Sequence, residues 1–166
     1  MAASDKLRVG IVGASASRGF ASIAHIPALQ ALPQFEIVAV CTTRQATAEA
    51  AARRYGARLA FADPAQMAAH PDVDLVTVSV KVPDHYAPVM AAIDAGKHVY
   101  CEWPLDRNTD EAARMLDAGR AARRAARRRS ARPDVAGDQL RQRPDSRRLC
   151  GPGVDRDDDR LRRQLG

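Results

Sequence analysis

Apolar positions along the first 119 residues follow two alternating rhythms. Short continuous runs at Leu7–Gly13, Glu36–Cys41, Leu59–Phe61, Asp74–Val80 and His98–Cys101 have the length and β-branched content of strands buried on both faces. Between them, apolar residues spaced by three and four mark helices. Ile23, Ile26, Leu29 and Leu32 define one within residues 20–32, and Ala46 to Tyr55 forms another, closed by Gly56. Asp63 can cap a helix that opens at Pro64 and stops near His70, because Pro71 follows. Val89, Met90 and Ile93 share a face of a helix that opens at Pro83 or Asp84 and ends at Gly96. Thr109 can cap a last helix starting near Asp110.

Strands alternating with helices of this length predict βαβ units, a parallel sheet and right-handed crossovers. The fold class expected is therefore α/β, a Rossmann-like doubly wound sheet. Five strands are legible and a six-stranded dinucleotide fold needs one more. Only Pro133–Gly137 lies near the right place, and it is poor strand material, so the sheet is expected to be incomplete.

The first unit carries the chemistry. A buried strand that delivers Gly13, then Ala-Ser-Ala-Ser-Arg-Gly19, into a helix is a recipe for gripping a pyrophosphate. Backbone N–H groups and the helix dipole both face the anion, and small residues let the backbone approach. The motif also has a plainer reading, a strand-to-helix turn that needs positive φ.

Charge divides the chain. Residues 1–119 hold eleven Lys or Arg against thirteen Asp or Glu, a net of −2, whereas residues 120–166 hold fifteen Arg and seven Asp, a net of +8. The overall +6 thus lives in the tail, and charge gives no reason to assign nucleic-acid or membrane binding to the globular part. No apolar run approaches membrane-spanning length, and no signal peptide is evident. Cys41, Cys101 and Cys150 are odd in number and lack metal spacing, which fits reduced thiols in the cytoplasm. No Ser-His-Asp order, metal cluster or paired-carboxylate pattern is present.

From Arg120 the composition changes. Arg120–Arg129 places arginines at helical spacing with alanines opposite, a basic stretch that can extend the preceding helix and suits phosphate backbones. Beyond it Asp, Arg, Gly and Pro dominate, too little apolar area to offset ordering entropy, so a disordered tail is expected. The simplest account is a GC-rich gene translated out of frame, leaving a truncated chain. A genuine basic tail and a short family variant are the alternatives. The domains expected are 6–119, nucleotide-binding, and 120–166, an Arg-rich tail.

Arg8-Val-Gly-Ile-Val-Gly13, Ala24-His-Ile-Pro-Ala-Leu29 and Ala92-Ile-Asp-Ala-Gly-Lys-His-Val99, leading into Cys101-Glu-Trp-Pro-Leu105, resemble the N-terminal domain of the Gfo/Idh/MocA oxidoreductases. The resemblance spans residues 6–119, and the galactose dehydrogenase and Gal80-type branch is the nearer likeness. It implies an NAD(P)-dependent oxidoreductase acting on a small-molecule sugar, or a Gal80-type regulator that binds the dinucleotide without chemistry. The family's second domain, which supplies an Asp, a His and most of the sugar site, has no counterpart here, so little or no turnover is expected. The family's Glu-Lys-Pro lysine is replaced by Trp103, whose indole donates one hydrogen bond but carries no charge and shuttles no proton. Trp103 is either core packing at a strand end or a ring beside the cofactor.

In this scheme Gly13, Ser15 and Arg18 hold the pyrophosphate. Thr43 and Arg44 follow the second strand, where a ribose 2′-OH carboxylate would stand in an NAD enzyme. Hydroxyls beside a guanidinium suit a 2′-phosphate, which favours NADP over NAD, with a solvated helix-start arginine as the plainer reading. Lys81 is expected near a ribose or phosphate, or else as an exposed loop cation. His85 is a cofactor candidate whose plainer reading is helix packing. Glu102 lies at the carboxyl end of a strand, where open α/β sheets bind ligands, and borders the expected nicotinamide site with Trp103. His25 and His98 sit in apolar runs and read as structural.

Overall fold

The computed structural model describes residues 6–16 and 19–130. Five strands form one sheet in the order β3-β2-β1-β4-β5: β1 (Leu7–Val12), β2 (Phe35–Cys41), β3 (Leu59–Phe61), β4 (Leu75–Val78) and β5 (His98–Cys101). Every pairing is parallel. This is a Rossmann-like α/β sheet whose strand order reverses between β1 and β4.

The helices are α1 (Ile26–Ala31), α2 (Gln45–Tyr55), α3 (Pro64–Ala69), α4 (Tyr86–Asp94) and α5 (Thr109–Ser130). They cover both faces. Ile26 of α1 and Ala51 and Ala52 of α2 pack with Val9, Ile11, Ile37 and Val40. Met67 of α3, Val89 and Ala92 of α4 and Met115 of α5 pack with Val12, Val38, Val76 and Val78. Each buried Val or Ile contributes roughly 1.5–3 kcal/mol relative to exposure, and on central parallel strands both faces contribute.

Register fixes where the sheet ends. Val12 pairs with Cys41 on one side and with Val78 on the other, and Val78 pairs with Cys101. Gly13, Ser79 and Glu102 are therefore the first residues beyond the carboxyl edge of three adjacent strands. At the opposite edge Arg8 clasps Asp74 through Nε at 2.9 Å and Nη2 at 2.8 Å, and reaches Asp72 at 3.0 Å, tying the start of β1 to that of β4. The Arg8 hydrogen bonds hold the Asp74 carboxyl below its ordinary range.

Several local expectations hold. Asp63 Oδ1 accepts from Ala65 N at 2.8 Å, and Gly56 closes α2 at φ +74°. Others shift. The helix expected over 20–32 opens as a π-helical turn, Ala21–His25, in which Ile26 N–H donates to Ala21 O, five residues back. The extra residue per turn puts Ala21 and Ile26 inside and leaves Ile23 74 % exposed, against the expectation of a continuous apolar face. The strand expected over 74–80 stops at Val78. The cap of α5 is Asn108, whose Oδ1 accepts from Glu111 N at 2.9 Å, one residue before the expected Thr109. That helix runs on through residue 130, so the arginine stretch to that point continues it. Pro133–Gly137, Cys150 and the rest of the tail from residue 131 lie outside the described residues. Among the described residues no helix is long and apolar enough to cross a membrane.

Candidate functional site at the strand-order reversal

Gly13 turns the chain out of β1 at φ +91°, and a Cβ built on it would lie 2.0 Å from the carbonyl oxygen of Ser79. Only glycine fits, for conformation and for space. Gly13 N donates to Cys41 O at 2.9 Å and Ser79 N donates to Val12 O at 3.0 Å, so the two chain reversals are locked side by side. The gap between diverging strands opens into a cavity of about 740 Å³. Gly13, Ser15, Thr43 and Arg44 line it, four of the residues the sequence singles out.

The corner after β2 is built by backbone and hydroxyls. Thr42 Oγ1 and Thr47 Oγ1 lie 2.6 Å apart, and each approaches the Arg44 carbonyl, at 3.0 and 2.8 Å. These contacts, with Arg44 capping α2 in an extended conformation, fix the main chain and leave the Thr43 and Arg44 side chains exposed on the cavity wall. Tyr55 donates its hydroxyl to Ser15 O at 2.6 Å, anchoring the loop after Gly13 to the end of α2. Arg18 lies outside the described residues. Arg107 also lines the cavity, forked onto Glu111 at 3.0 and 3.1 Å; the guanidinium holds the Glu111 carboxyl down to about 2. The sequence reading missed both, since they follow β5 in a stretch with no motif.

Lys81 and His85 are not brought to this cavity. Lys81 is exposed just before a short 3₁₀ turn, Val82–Asp84. His85 is 1 % exposed, with Nε2 3.0 Å from Val80 O and Nδ1 3.1 Å from Leu105 O. Cys101 Sγ lies 3.3 Å from that Nδ1, and burial pushes its thiol up to about 11. His85 thus pins the loops after β4 and β5 together. The ring is enclosed by protein, the arrangement that the plainer helix-packing reading of His85 describes. Trp103 is 90 % exposed, which removes the core-packing reading.

A second cluster sits past β4 and β5. Glu102 Oε1 accepts from His25 Nε2 at 2.7 Å and from the Ser79 hydroxyl at 2.5 Å. The π-helical turn presents His25 there, between the edges of Phe20 and Tyr100 at 5.3 and 5.4 Å. Ser79 donates to the carboxylate and not to the imidazole, so this is no activated nucleophile. His25 stands in the Ala24–Leu29 stretch that carries the family resemblance, but it reads there as structural, and nothing in that stretch shows that the turn aims it at Glu102.

A glycine turn, a strand-order reversal and a cavity at the carboxyl ends are the geometry of a dinucleotide site. The model of the oxidoreductase family with an NAD-binding Rossmann fold, Gfo/Idh/MocA, matches residues 7–127. The chain belongs to that family. Gfo/Idh/MocA relatives include the dehydrogenase aclE of Aspergillus oryzae, 41 % identical over 124 residues (70 % of this chain, 34 % of that protein). D-glucoside 3-dehydrogenase of Escherichia coli is 34 % identical over 117 residues, 70 % of this chain and 32 % of the enzyme. The galactose/lactose metabolism regulatory protein GAL80 of Saccharomyces cerevisiae is 31 % identical over 121 residues, 68 % of this chain and 28 % of the regulator. The crystal structure of KijD10, a 3-ketoreductase from Actinomadura kijaniata in complex with NADP and TDP-benzene, superposes with a TM-score of 0.64. It is 30 % identical, with 70 % of this chain and 35 % of that one covered. The chain spans about a third of the length of the curated relatives it matches.

Proposed function

We propose that this chain is the dinucleotide-binding part of a sugar-dehydrogenase type oxidoreductase. It binds NADP in preference to NAD, in the reducing cytoplasm, and gives little or no turnover as it stands. The observation that carries the reading is the Gly13–Ser79 approach, a cradle a Cβ would fill, opening onto a cavity with hydroxyls and a free-standing guanidinium at its far wall. Bound there, the nicotinamide would supply hydride transfer. The chain's own residues bind and orient. Gly13 and Ser15, with Arg18, border the pyrophosphate, Thr43 and Arg44 the adenosine ribose and its 2′-phosphate, and Glu102 and Trp103 the nicotinamide half. A sugar substrate is supported by D-glucoside 3-dehydrogenase among the relatives, of which the match covers 32 %.

Calorimetric titration of the 166-residue chain with NADP and NAD, followed by a sugar panel monitored at the NADPH absorbance, tests this. Saturable binding, tighter for NADP, with no sugar-dependent reduction is the expected result. No binding of either dinucleotide removes the reading, and steady turnover removes the claim of inactivity.

Trp103 supports a second reading, a dinucleotide sensor of the GAL80 kind. A 90 % exposed indole where the family carries a lysine offers a contact surface and no proton. Fusing a relative's remaining domain separates the two: turnover regained favours the enzyme, binding without turnover favours the sensor.

A further inference from the structure

Arg107 and Glu111 line the same cavity as Thr43 and Arg44, although they follow β5, at the other end of the sheet. The rest of the lining marks this cavity as the adenosine end of a dinucleotide crevice. Thr43, Arg44, Ala62 and Pro64 follow β2 and β3, on the adenosine side of the strand-order reversal. Glu102 and Trp103, at the nicotinamide half in this scheme, are not in that lining.

The charges around Arg107 oppose a phosphate. Its guanidinium forks onto Glu111 through Nη2 at 3.0 Å and Nε at 3.1 Å. Glu111, chiefly by that hydrogen bond, and then Asp106 and Asp84 hold the guanidinium above its ordinary value. Three carboxylates around one guanidinium leave a negative balance, which repels an anion. What the pair offers instead is a donor beside an acceptor. Nε and Nη2 are engaged, which leaves the N–H groups of Nη1, and each Glu111 oxygen accepts one bond with capacity for a second. Arg107 keeps 58 % side-chain exposure, so these groups are open to a ligand, and Pro83 and Ala87 add apolar surface to the same lining. Adenine is flat and uncharged, and its edge carries the matching groups, a 6-amino donor next to the N1 acceptor.

We propose that the Arg107–Glu111 pair reads the adenine base of the dinucleotide, Glu111 accepting from the 6-amino group and Arg107 donating to N1. The inference rests on the dinucleotide reading above. Hypoxanthine reverses both groups. Its 6-keto oxygen would meet the carboxylate and its N1–H the guanidinium, leaving both pairs mismatched.

The test compares NADP with nicotinamide hypoxanthine dinucleotide phosphate, which differs only at that edge, by calorimetric titration of the 166-residue chain. The unaltered chain is expected to bind NADP roughly tenfold more tightly, the worth of a mismatched hydrogen-bonding edge. Glu111→Gln keeps the size of the side chain but adds a donor, and should bring the two ligands close to parity. Arg107→Met removes the donor to N1 and should do the same. Arg44→Ala is the contrast, expected to weaken both ligands alike and leave their ratio intact. Equal affinities in the unaltered chain, or a preference that survives undiminished in either variant of the pair, overturn the proposal. Should one of those variants fail to fold, the unaltered ratio and the other variant decide. If neither ligand binds, the dinucleotide reading falls and this inference with it; if both bind equally well, only this inference falls.

Discussion

Gly13 and Ser79 approach so closely that a methyl group on the glycine would stand 2.0 Å from the serine carbonyl oxygen. Because Val12 and Val78 are in register, this contact cannot relax without shifting β1 against β4. Gly13→Ala is expected to lower stability by more than the ~1–2 kcal/mol that a left-handed alanine costs on its own, and to abolish dinucleotide binding. Gly56→Ala is the matched control, with φ +74° and nothing within 4 Å of the added Cβ. Thermal melts of the two variants side by side check the difference; equal losses would mean that the close approach contributes nothing.

Arg44 caps α2 with its backbone and sends its side chain to the cavity wall, so its two roles separate cleanly. Arg44→Ala should leave the melting temperature nearly unchanged and weaken NADP binding on the order of tenfold, the worth of a charged hydrogen bond to phosphate. NAD affinity should change by less than about twofold, because NAD lacks that phosphate. Parallel titrations with both dinucleotides read this directly, and an equal loss for both would place Arg44 outside the 2′-phosphate site.

The Arg8–Asp74 clasp makes stability depend on acid. Its hydrogen bonds lower the Asp74 carboxyl in the folded state. The stabilisation is therefore fully present above the unfolded value of about 3.9 and is lost as pH falls through the lower folded value. Asp74→Asn should melt a few degrees lower than the unaltered chain near neutrality, with the gap closing below about pH 4. Melts across that range check the sign; a gap that persists in strong acid would assign the loss to packing.

Cys41 is a buried thiol and Cys101 a half-buried one, pushed up to about 12 and about 11 chiefly by desolvation. Both shifts keep the thiols protonated near neutrality, so alkylation of the folded chain should be much slower than that of a free cysteine. With Cys150 replaced by serine, iodoacetamide labelling before and after urea addition measures it. Rapid labelling of the native chain would show that these sites open easily.

Much of the fold is legible in the chain itself. Continuous β-branched runs such as Ile37–Cys41 and Leu75–Val78 have no polar face to offer, so they must lie inside a parallel sheet. Gly13, Gly56 and Asp63 mark their turns because a positive φ or a cap demands those residue types. The sequence also places Thr43 and Arg44 just after β2, at the carboxyl edge of the sheet. What it does not contain is distance. His85 looks like a candidate beside a loop, yet the loops after β4 and β5 close over it, and its two nitrogens lie 3.0 and 3.1 Å from carbonyl oxygens 5 and 20 residues away. His25 looks structural, yet one extra residue in a turn swings it onto Glu102, 77 residues on. Local pattern reports only which face a residue prefers to bury. Which polar groups then meet is decided by strand register, which brings Gly13, Ser79 and Glu102 to one edge of the sheet.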